Sequence, residues 1–140
     1  MRLNTYLAYK DGRCEEAMTF YKDIFKGEFT TFMRFGEAPP TAFKVSEKDK
    51  ELVMHCTLEF NNCILMASDT IMPDKVNSGN NFSLSINVAE ADEAASYFSA
   101  LMDGGTEIMP FEDAFWGGKF GMLLDKFGVQ WMFTSAHKTE

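Results

Sequence analysis

Two side chains in the first half of this 140-residue chain could do acid–base chemistry together. His55 lies in the apolar stretch LVMHCTLEF, and Asp69 follows the next apolar stretch along the chain. A histidine can give or take a proton near neutral pH, and a carboxylate can orient its ring. We therefore name His55 and Asp69 as candidate catalytic residues. The alternatives are a hydrogen-bonded structural His55, which is commoner for a lone strand histidine, and an Asp69 that caps the following loop.

Both tryptophans lie in residues 111–133, which read FEDAFWGGKFGMLLDKFGVQWMF and hold four of the ten glycines. Trp116, beside a glycine pair, could stack on a planar ligand or anchor packing. Trp131 and Met132 are neighbours on a predicted strand, so they face opposite sides of it. Only one of these two can line a ligand pocket. The Asp125-Lys126 turn before them is expected to be solvated.

Ten methionines are an unusual number for a chain of this length. Most are expected to fill the core, since the methionine side chain adapts to irregular gaps. The alternative is a plastic apolar pocket that accepts varied flat ligands. Met66 and Met132 are the predicted pocket members, because they fall at equivalent positions of the repeat described below.

The three cysteines, Cys14, Cys56 and Cys63, support neither a disulfide framework nor a zinc site, since their number is odd and no C-x-x-C pair exists. Cys56 and Cys63 are predicted to be buried in strands. Cys14 stands at a predicted helix start, which favours the thiolate, but the following Glu15 and Glu16 oppose it. A structural Cys14 is the preferred interpretation.

Composition excludes several partners. The formal net charge of −8 comes from 13 Lys and Arg against 21 dispersed Asp and Glu, so no basic footprint for nucleic acid exists. No 18-residue apolar run and no signal-peptide core occur, which predicts a cytoplasmic protein without a membrane partner. The expected partner is a small molecule.

Apolar spacing and turn residues predict the same element order twice. The first half reads as a strand, a helix and three strands, at residues 3–9, 15–25, 28–35, 52–60 and 63–67. The second half begins again with a strand at 81–88 and a helix at 92–102. Setting Asp92 over Glu15 gives an offset of 92 − 15 = 77, which also places Leu84 over Leu7 without a gap.

The predicted fold is therefore α+β, with two tandem βαβββ modules. Residues 1–140 are expected to form a single domain of two repeats, about 1–70 and 80–136, joined by a linker at 69–81. Residues 37–50 predict a polar loop. Neither half can bury its own helix and sheet well, so we expect curled mixed sheets around a groove, outer helices and a homodimer. The groove faces of the strands are the natural ligand surface.

This architecture and several short motifs resemble the vicinal oxygen chelate superfamily, which includes glyoxalase I, extradiol dioxygenases, and fosfomycin and bleomycin resistance proteins. Within it the chain is most similar to the PhnB-like branch. The motifs that carry the likeness are Tyr6-Leu7, Glu16-Ala17 with Phe20-Tyr21, Met54-His55, Met66 to Asp69, Phe115 to Gly117, Phe120-Gly121 and Asp125 to Met132.

The resemblance also bears on metal binding. Metal-dependent members of the superfamily place His or Glu on the first and last strands of each half. Those positions fall here near Asn4 to Tyr6, at Ser83, and at Met66 and Met132. Because thioethers do not hold a hard or borderline divalent ion, the resemblance implies that the usual metal centre is lost and that no cofactor is needed.

We expect a PhnB-like small-molecule binding protein of unassigned reaction, with an apolar groove. The candidate ligand-binding residues are Tyr6, Met66, Ser83, Trp116, Trp131 and Met132. One alternative is a metal-dependent enzyme of the glyoxalase or dioxygenase type, with His55 in an atypical site. The other is a non-catalytic resistance-type protein that sequesters a drug. The branch is sometimes labelled a methyltransferase domain, but no G-x-G loop after a strand predicts an adenosylmethionine site.

Overall fold

The computed structural model describes residues 1–39 and 44–136. The chain forms two compact units, Met1–Asn77 and Ser78–Glu140. Each unit has one helix and four strands in the order βαβββ, which confirms the predicted α+β class and the predicted repeat. The division between the units lies inside the predicted linker. Residues 40–43 of the predicted polar loop lie outside the described residues.

The first unit contains one sheet and one helix. Its elements are β1 Thr5–Tyr9, α1 Cys14–Phe25, β2 Glu28–Arg34, β3 Val53–Phe60 and β4 Cys63–Asp69. The strand order is β1-β4-β3-β2, with β1 parallel to β4 and the other neighbours antiparallel.

The second unit repeats this topology. Its elements are β5 Leu84–Val88, α2 Ala91–Leu101, β6 Thr106–Asp113, β7 Lys119–Leu124 and β8 Gln130–Ser135. The strand order is β5-β8-β7-β6, again with one parallel pair, β5 with β8. No helix within residues 1–39 and 44–136 is long and apolar enough to cross a membrane.

Each helix covers one face of its own sheet. In the first unit Leu7 and Tyr9 of β1 are buried, while Tyr6 and Ala8, which alternate with them along the strand, are exposed. The Tyr9 hydroxyl donates a hydrogen bond to the hydroxyl of Tyr21 on α1, at 3.2 Å, which fixes the buried face as the helix side. We call the opposite side of each sheet its open face.

The register of the strands corrects the predicted ungapped repeat. The helices keep the offset of 77, since α1 begins at Cys14 and α2 at Ala91. In the strands, however, Tyr9 pairs with Asp69 at the end of the first parallel pair and Val88 pairs with Ser135 at the end of the second. The strand offset is thus 88 − 9 = 79. Leu84 therefore corresponds to Thr5 rather than to Leu7, because the connection to the helix is two residues longer in the first unit.

Two tight turns join neighbouring antiparallel strands. Asn61 and Asn62 join β3 to β4 with φ of 44° and 65°, the left-handed values of a tight hairpin turn. Gly117 and Gly118 join β6 to β7 with φ of 98° and 70°. Cys63 follows the first turn directly and is exposed, so its predicted burial is wrong.

Candidate functional site on the open face of the first sheet

The open face of the first sheet carries a row of side chains from adjacent strands. Tyr6 of β1 lies beside Met66 of β4, and Met66 lies beside Thr57 of β3. His55 shares the open face with Thr57, two residues along β3. Three predicted site residues, Tyr6, His55 and Met66, therefore lie together with Thr57 on one surface.

Tyr6, His55 and Thr57 form a hydrogen-bonded series. The Tyr6 hydroxyl lies 3.0 Å from His55 Nδ1, and His55 Nε2 lies 3.0 Å from Thr57 Oγ1. The rings of Tyr6 and His55 are 5.6 Å apart and inclined by 26°, so they partly stack. Tyr6 is 49% exposed, so the series ends in a phenol that a ligand can reach.

The series can transfer a proton because a neutral imidazole has one donor and one acceptor nitrogen. In one tautomer Tyr6 donates to Nδ1 while Nε2–H donates to Thr57. In the other, Nδ1–H donates to the Tyr6 oxygen, Thr57 donates to Nε2, and the phenol proton is free for a ligand. His55 can thus support Tyr6 either as a hydrogen-bond donor or as an acceptor.

Asp69 lies on the other face of the sheet and does not orient His55. Its Oδ1 accepts a hydrogen bond from the backbone N–H of Cys14 and its Oδ2 one from the N–H of Val53, both at 2.9 Å. Desolvation by burial raises the pKa of this carboxyl, against the effect of the two N–H groups. Asp69 therefore fixes the start of α1 to the sheet, and the predicted partnership with His55 is corrected.

Strict alternation along β3 would place Val53 on the same face as His55, but the structure places it on the other face. The pairing of Met33 with His55 and of Arg34 with Val53 leaves Met54 as an extra residue in β3. This β-bulge reverses the alternation, so that Val53 is buried with Cys56 on the helix side. His55 and Thr57 still lie on the same face of β3.

The open face of the second sheet carries methionines on three of its strands. Met132 of β8 lies between Ser85 of β5 and Met122 of β7, and Met122 lies beside Met109 of β6. Since Tyr6 pairs with Met66 as Ser85 pairs with Met132, the predicted equivalence of Met66 and Met132 is confirmed. Three thioethers therefore form a row across this sheet.

Ser83 stands just before β5, and its hydroxyl accepts a hydrogen bond from Gln130 Nε2 at 2.6 Å. The residue that corresponds to Tyr6 is Ser85. The signal that could have found Ser85 is the shorter connection between strand and helix in the second half, which requires a gap in the alignment of the halves.

Trp131 is a structural residue. It is 1% exposed, and its indole Nε1–H donates to Asp125 Oδ2 at 2.9 Å. Of the neighbours Trp131 and Met132, only Met132 is on the open face. The prediction that Trp131 contacts a ligand is therefore corrected. Asp125 is buried rather than solvated, and it also accepts from the N–H groups of Phe127 and Val129.

Trp116 lies at the turn between β6 and β7 and is 52% exposed. Its ring meets the rings of Phe115 and Phe120 edge to face, at centroid distances of 4.8 and 5.7 Å. Phe120 fixes one edge of the indole, while a large part of the ring stays accessible. Trp116 therefore keeps its place among the ligand-binding candidates.

The residues that the structure describes do not fit the divalent metal centre of the metal-dependent superfamily members. Among the described residues, no group of three or more His, Cys, Asp or Glu side chains could hold a metal ion. The strand positions where carboxylates would be expected carry the thioethers of Met66 and Met132. Such ligands favour soft ions such as Cu(I) over zinc, manganese or magnesium.

Comparison with known proteins identifies the family and the fold. Residues 1–134 match the family model described as 3-demethylubiquinone-9 3-methyltransferase. Protein YjdN of Escherichia coli K12 is 29% identical over 94% of this chain and 93% of its own length. The crystal structure of PA1353 from Pseudomonas aeruginosa is 32% identical, with a TM-score of 0.86 and 99% of both chains covered.

A second solved structure is the PhnB protein from Bacillus cereus, described as a putative 3-demethylubiquinone-9 3-methyltransferase. It is 29% identical, with a TM-score of 0.79, and the match covers 97% of this chain and 100% of that one. The fosfomycin resistance protein FosX from Listeria monocytogenes shares the fold at 12% identity and a TM-score of 0.64, over 97% and 93% of the two chains. The chain therefore belongs to the PhnB-like family that bears the name 3-demethylubiquinone-9 3-methyltransferase, and it shares its fold with fosfomycin resistance and glyoxalase/bleomycin resistance proteins.

Proposed function

We propose that this chain binds a small organic molecule on the open face of its first sheet, without a hard divalent metal. The observation that supports the proposal is the series Tyr6–His55–Thr57, which ends in an accessible phenol. A ligand oxygen can hydrogen-bond to that phenol in place of water. Met66, between Tyr6 and Thr57, offers an apolar contact beside the polar one.

The ligand class that fits is a flat, mostly apolar molecule with an oxygen substituent. The partly stacked rings of Tyr6 and His55 and the thioether of Met66 both favour contact with an aromatic ring. The family name points the same way, since a demethylubiquinone is a ring that carries oxygens. We propose binding of such a ring and not methyl transfer, because the sequence lacks the strand and G-x-G pattern of an adenosylmethionine site.

A titration with p-nitrophenol tests this proposal, because the absorbance of the probe reports both binding and its ionisation. Tyr6→Phe and His55→Ala should weaken binding about 2- to 10-fold, the effect of one net hydrogen bond. The matched control is Tyr97→Phe, which removes a phenol that donates to Glu93 on α2. Equal affinity of Tyr6→Phe, His55→Ala and the wild type for the probe would refute the site.

Metal analysis tests the second part of the proposal. Protein purified without chelator should contain far less than one equivalent of zinc, nickel, manganese or iron. A stoichiometric amount of any of them would support the glyoxalase- or dioxygenase-type alternative. The predicted homodimer and the predicted cytoplasmic location stay predictions.

A second candidate function is sequestration of a planar drug without chemistry, and the exposed Trp116 favours it. The indole could stack on an aromatic ligand while Phe120 supports it from the side. In this case Trp116→Ala should lose affinity for planar dyes such as 8-anilinonaphthalene sulfonate, and His55→Ala should keep it. The opposite pattern would favour the site on the first sheet.

A further inference from the structure

Two thiols outside the candidate site lie in contact inside the first unit. Cys14 is the first residue of α1 and Cys56 lies in β3, and their sulfurs are 3.9 Å apart. Both side chains are fully buried. The third cysteine, Cys63, is exposed at the start of β4, and its sulfur lies 3.7 Å from the backbone oxygen of Asn61.

The backbone around the pair is held on both sides. Asp69 accepts hydrogen bonds from the N–H of Cys14 and from the N–H of Val53 at the start of β3. Cys56 itself pairs with Ala67 in the neighbouring strand. One carboxylate thus joins the helix start to the strand that carries the second thiol, so the two sulfurs are kept near each other.

The step from contact to a covalent bond is short. A disulfide has a sulfur–sulfur distance of about 2.05 Å, so the sulfurs must approach by roughly 2 Å to form one. We propose that Cys14 and Cys56 are a redox pair that forms a reversible intramolecular disulfide when the protein meets a hydroperoxide.

The oxidation takes two steps. One sulfur of the pair attacks the hydroperoxide, ROOH, breaking its O–O bond to give a sulfenic acid and ROH. The other sulfur then attacks the sulfenic sulfur and displaces water. In sum, two thiols and ROOH give one disulfide, ROH and H₂O.

Oxidation of the reduced protein with hydrogen peroxide tests the pair. After alkylation and proteolysis, mass spectrometry should find the peptides of Cys14 and Cys56 joined within one chain, and dithiothreitol should separate them. The melting temperature of the oxidised protein should rise by about 5–15 °C, because the cross-link constrains the unfolded chain. The Cys63→Ser variant should behave like the wild type.

Cys14→Ala and Cys56→Ala should each lose the cross-link and the rise in melting temperature. To ensure access to the buried sulfurs, the oxidation is repeated in urea just below the unfolding transition. The proposal is overturned if Cys14 and Cys56 are still free thiols there, or if the only disulfide formed is an intermolecular one through Cys63.

Discussion

Asp69 and Ser135 are the last residues of the final strands of the two units. Each side chain accepts a hydrogen bond from the first backbone N–H of the neighbouring antiparallel strand. Asp69 Oδ2 accepts from the N–H of Val53, the first residue of β3, and Ser135 Oγ accepts from the N–H of Lys119, the first residue of β7, both at 2.9 Å. Both units therefore have a hydrogen-bond acceptor at this position, a carboxylate in the first unit and a hydroxyl in the second. The carboxylate has a second oxygen, and Asp69 uses it to hold α1 through Cys14.

Replacement of Asp69 by alanine should lower the free energy of unfolding at pH 7 by about 1–3 kcal/mol, because two N–H groups lose their acceptor. Asp69→Asn should cost less, since its amide oxygen can still accept one of the two hydrogen bonds. The control is Asp74→Ala, at an exposed position, which should stay within about 0.5 kcal/mol. Urea denaturation gives these values, and an Asp69→Ala protein as stable as the control would contradict the role.

Asp69 should also leave a signature in the pH dependence of stability. Desolvation raises its pKa in the folded protein above the ordinary value of 3.8, so the folded state binds this proton more tightly than the unfolded chain does. The contribution of this proton to the free energy of unfolding is fully present below pH 3.8, and it is lost as the pH rises through the pKa of Asp69 in the folded protein. The free energy of unfolding of the wild type, relative to Asp69→Asn, should therefore fall from pH 3.8 upward. Denaturation of both proteins at a series of pH values measures this difference in the free energy of unfolding. A difference that rises with pH would show that folding lowers the pKa of Asp69 instead.

Gly121 is a position where the close packing of the second unit can be tested. A Cβ atom there would lie 2.8 Å from Phe111 Cα and 2.9 Å from Phe98 Cε2. Gly121→Ala should therefore destabilise the protein by about 1–3 kcal/mol through overpacking. Gly79→Ala is the matched change, since its Cβ would meet only Asn81 Oδ1 at 3.6 Å, and thermal denaturation should separate the two variants. Equal stability of the two would contradict the packing.

The different roles of the two tryptophans should appear in fluorescence. Trp131→Phe leaves Trp116 as the single tryptophan, so emission should be red-shifted and readily quenched by acrylamide. Trp116→Phe leaves the buried Trp131, with blue-shifted emission that resists quenching. Trp131→Phe should also cost about 1–3 kcal/mol of stability, because Asp125 Oδ2 loses its indole donor. Similar quenching of both variants would refute the assignment.

Local pattern was sufficient to predict the elements of this fold. Alternation and helical spacing placed the strands and helices for which ranges were predicted within a few residues. The same period of two placed His55 and Thr57 on one face. The same period also puts Asp69 in phase with the buried Leu65 and Ala67 rather than with Met66.

What the sequence could not supply was the lateral order of the strands. The contact between Tyr6 and His55 arises because β4 alone separates β1 from β3. Alternation likewise assigned Trp131 and Met132 to opposite faces without saying which face α2 covers. Long-range pairing decides both questions, and a single sequence contains little information about it.

The loop between the first strand and the helix differs in length between the two units. This difference restricts which segments can be exchanged between the halves. The helices are related by 77 residues and the first strands by 79, because residues 10–13 connect β1 to α1 while residues 89–90 connect β5 to α2. Suppose that a hybrid chain exchanged α1 and α2 at a fixed offset of 79 residues. The transferred helix would then be displaced by two residues relative to the strand that precedes it. Viable chimeras of this protein should therefore exchange each helix together with the loop that precedes it.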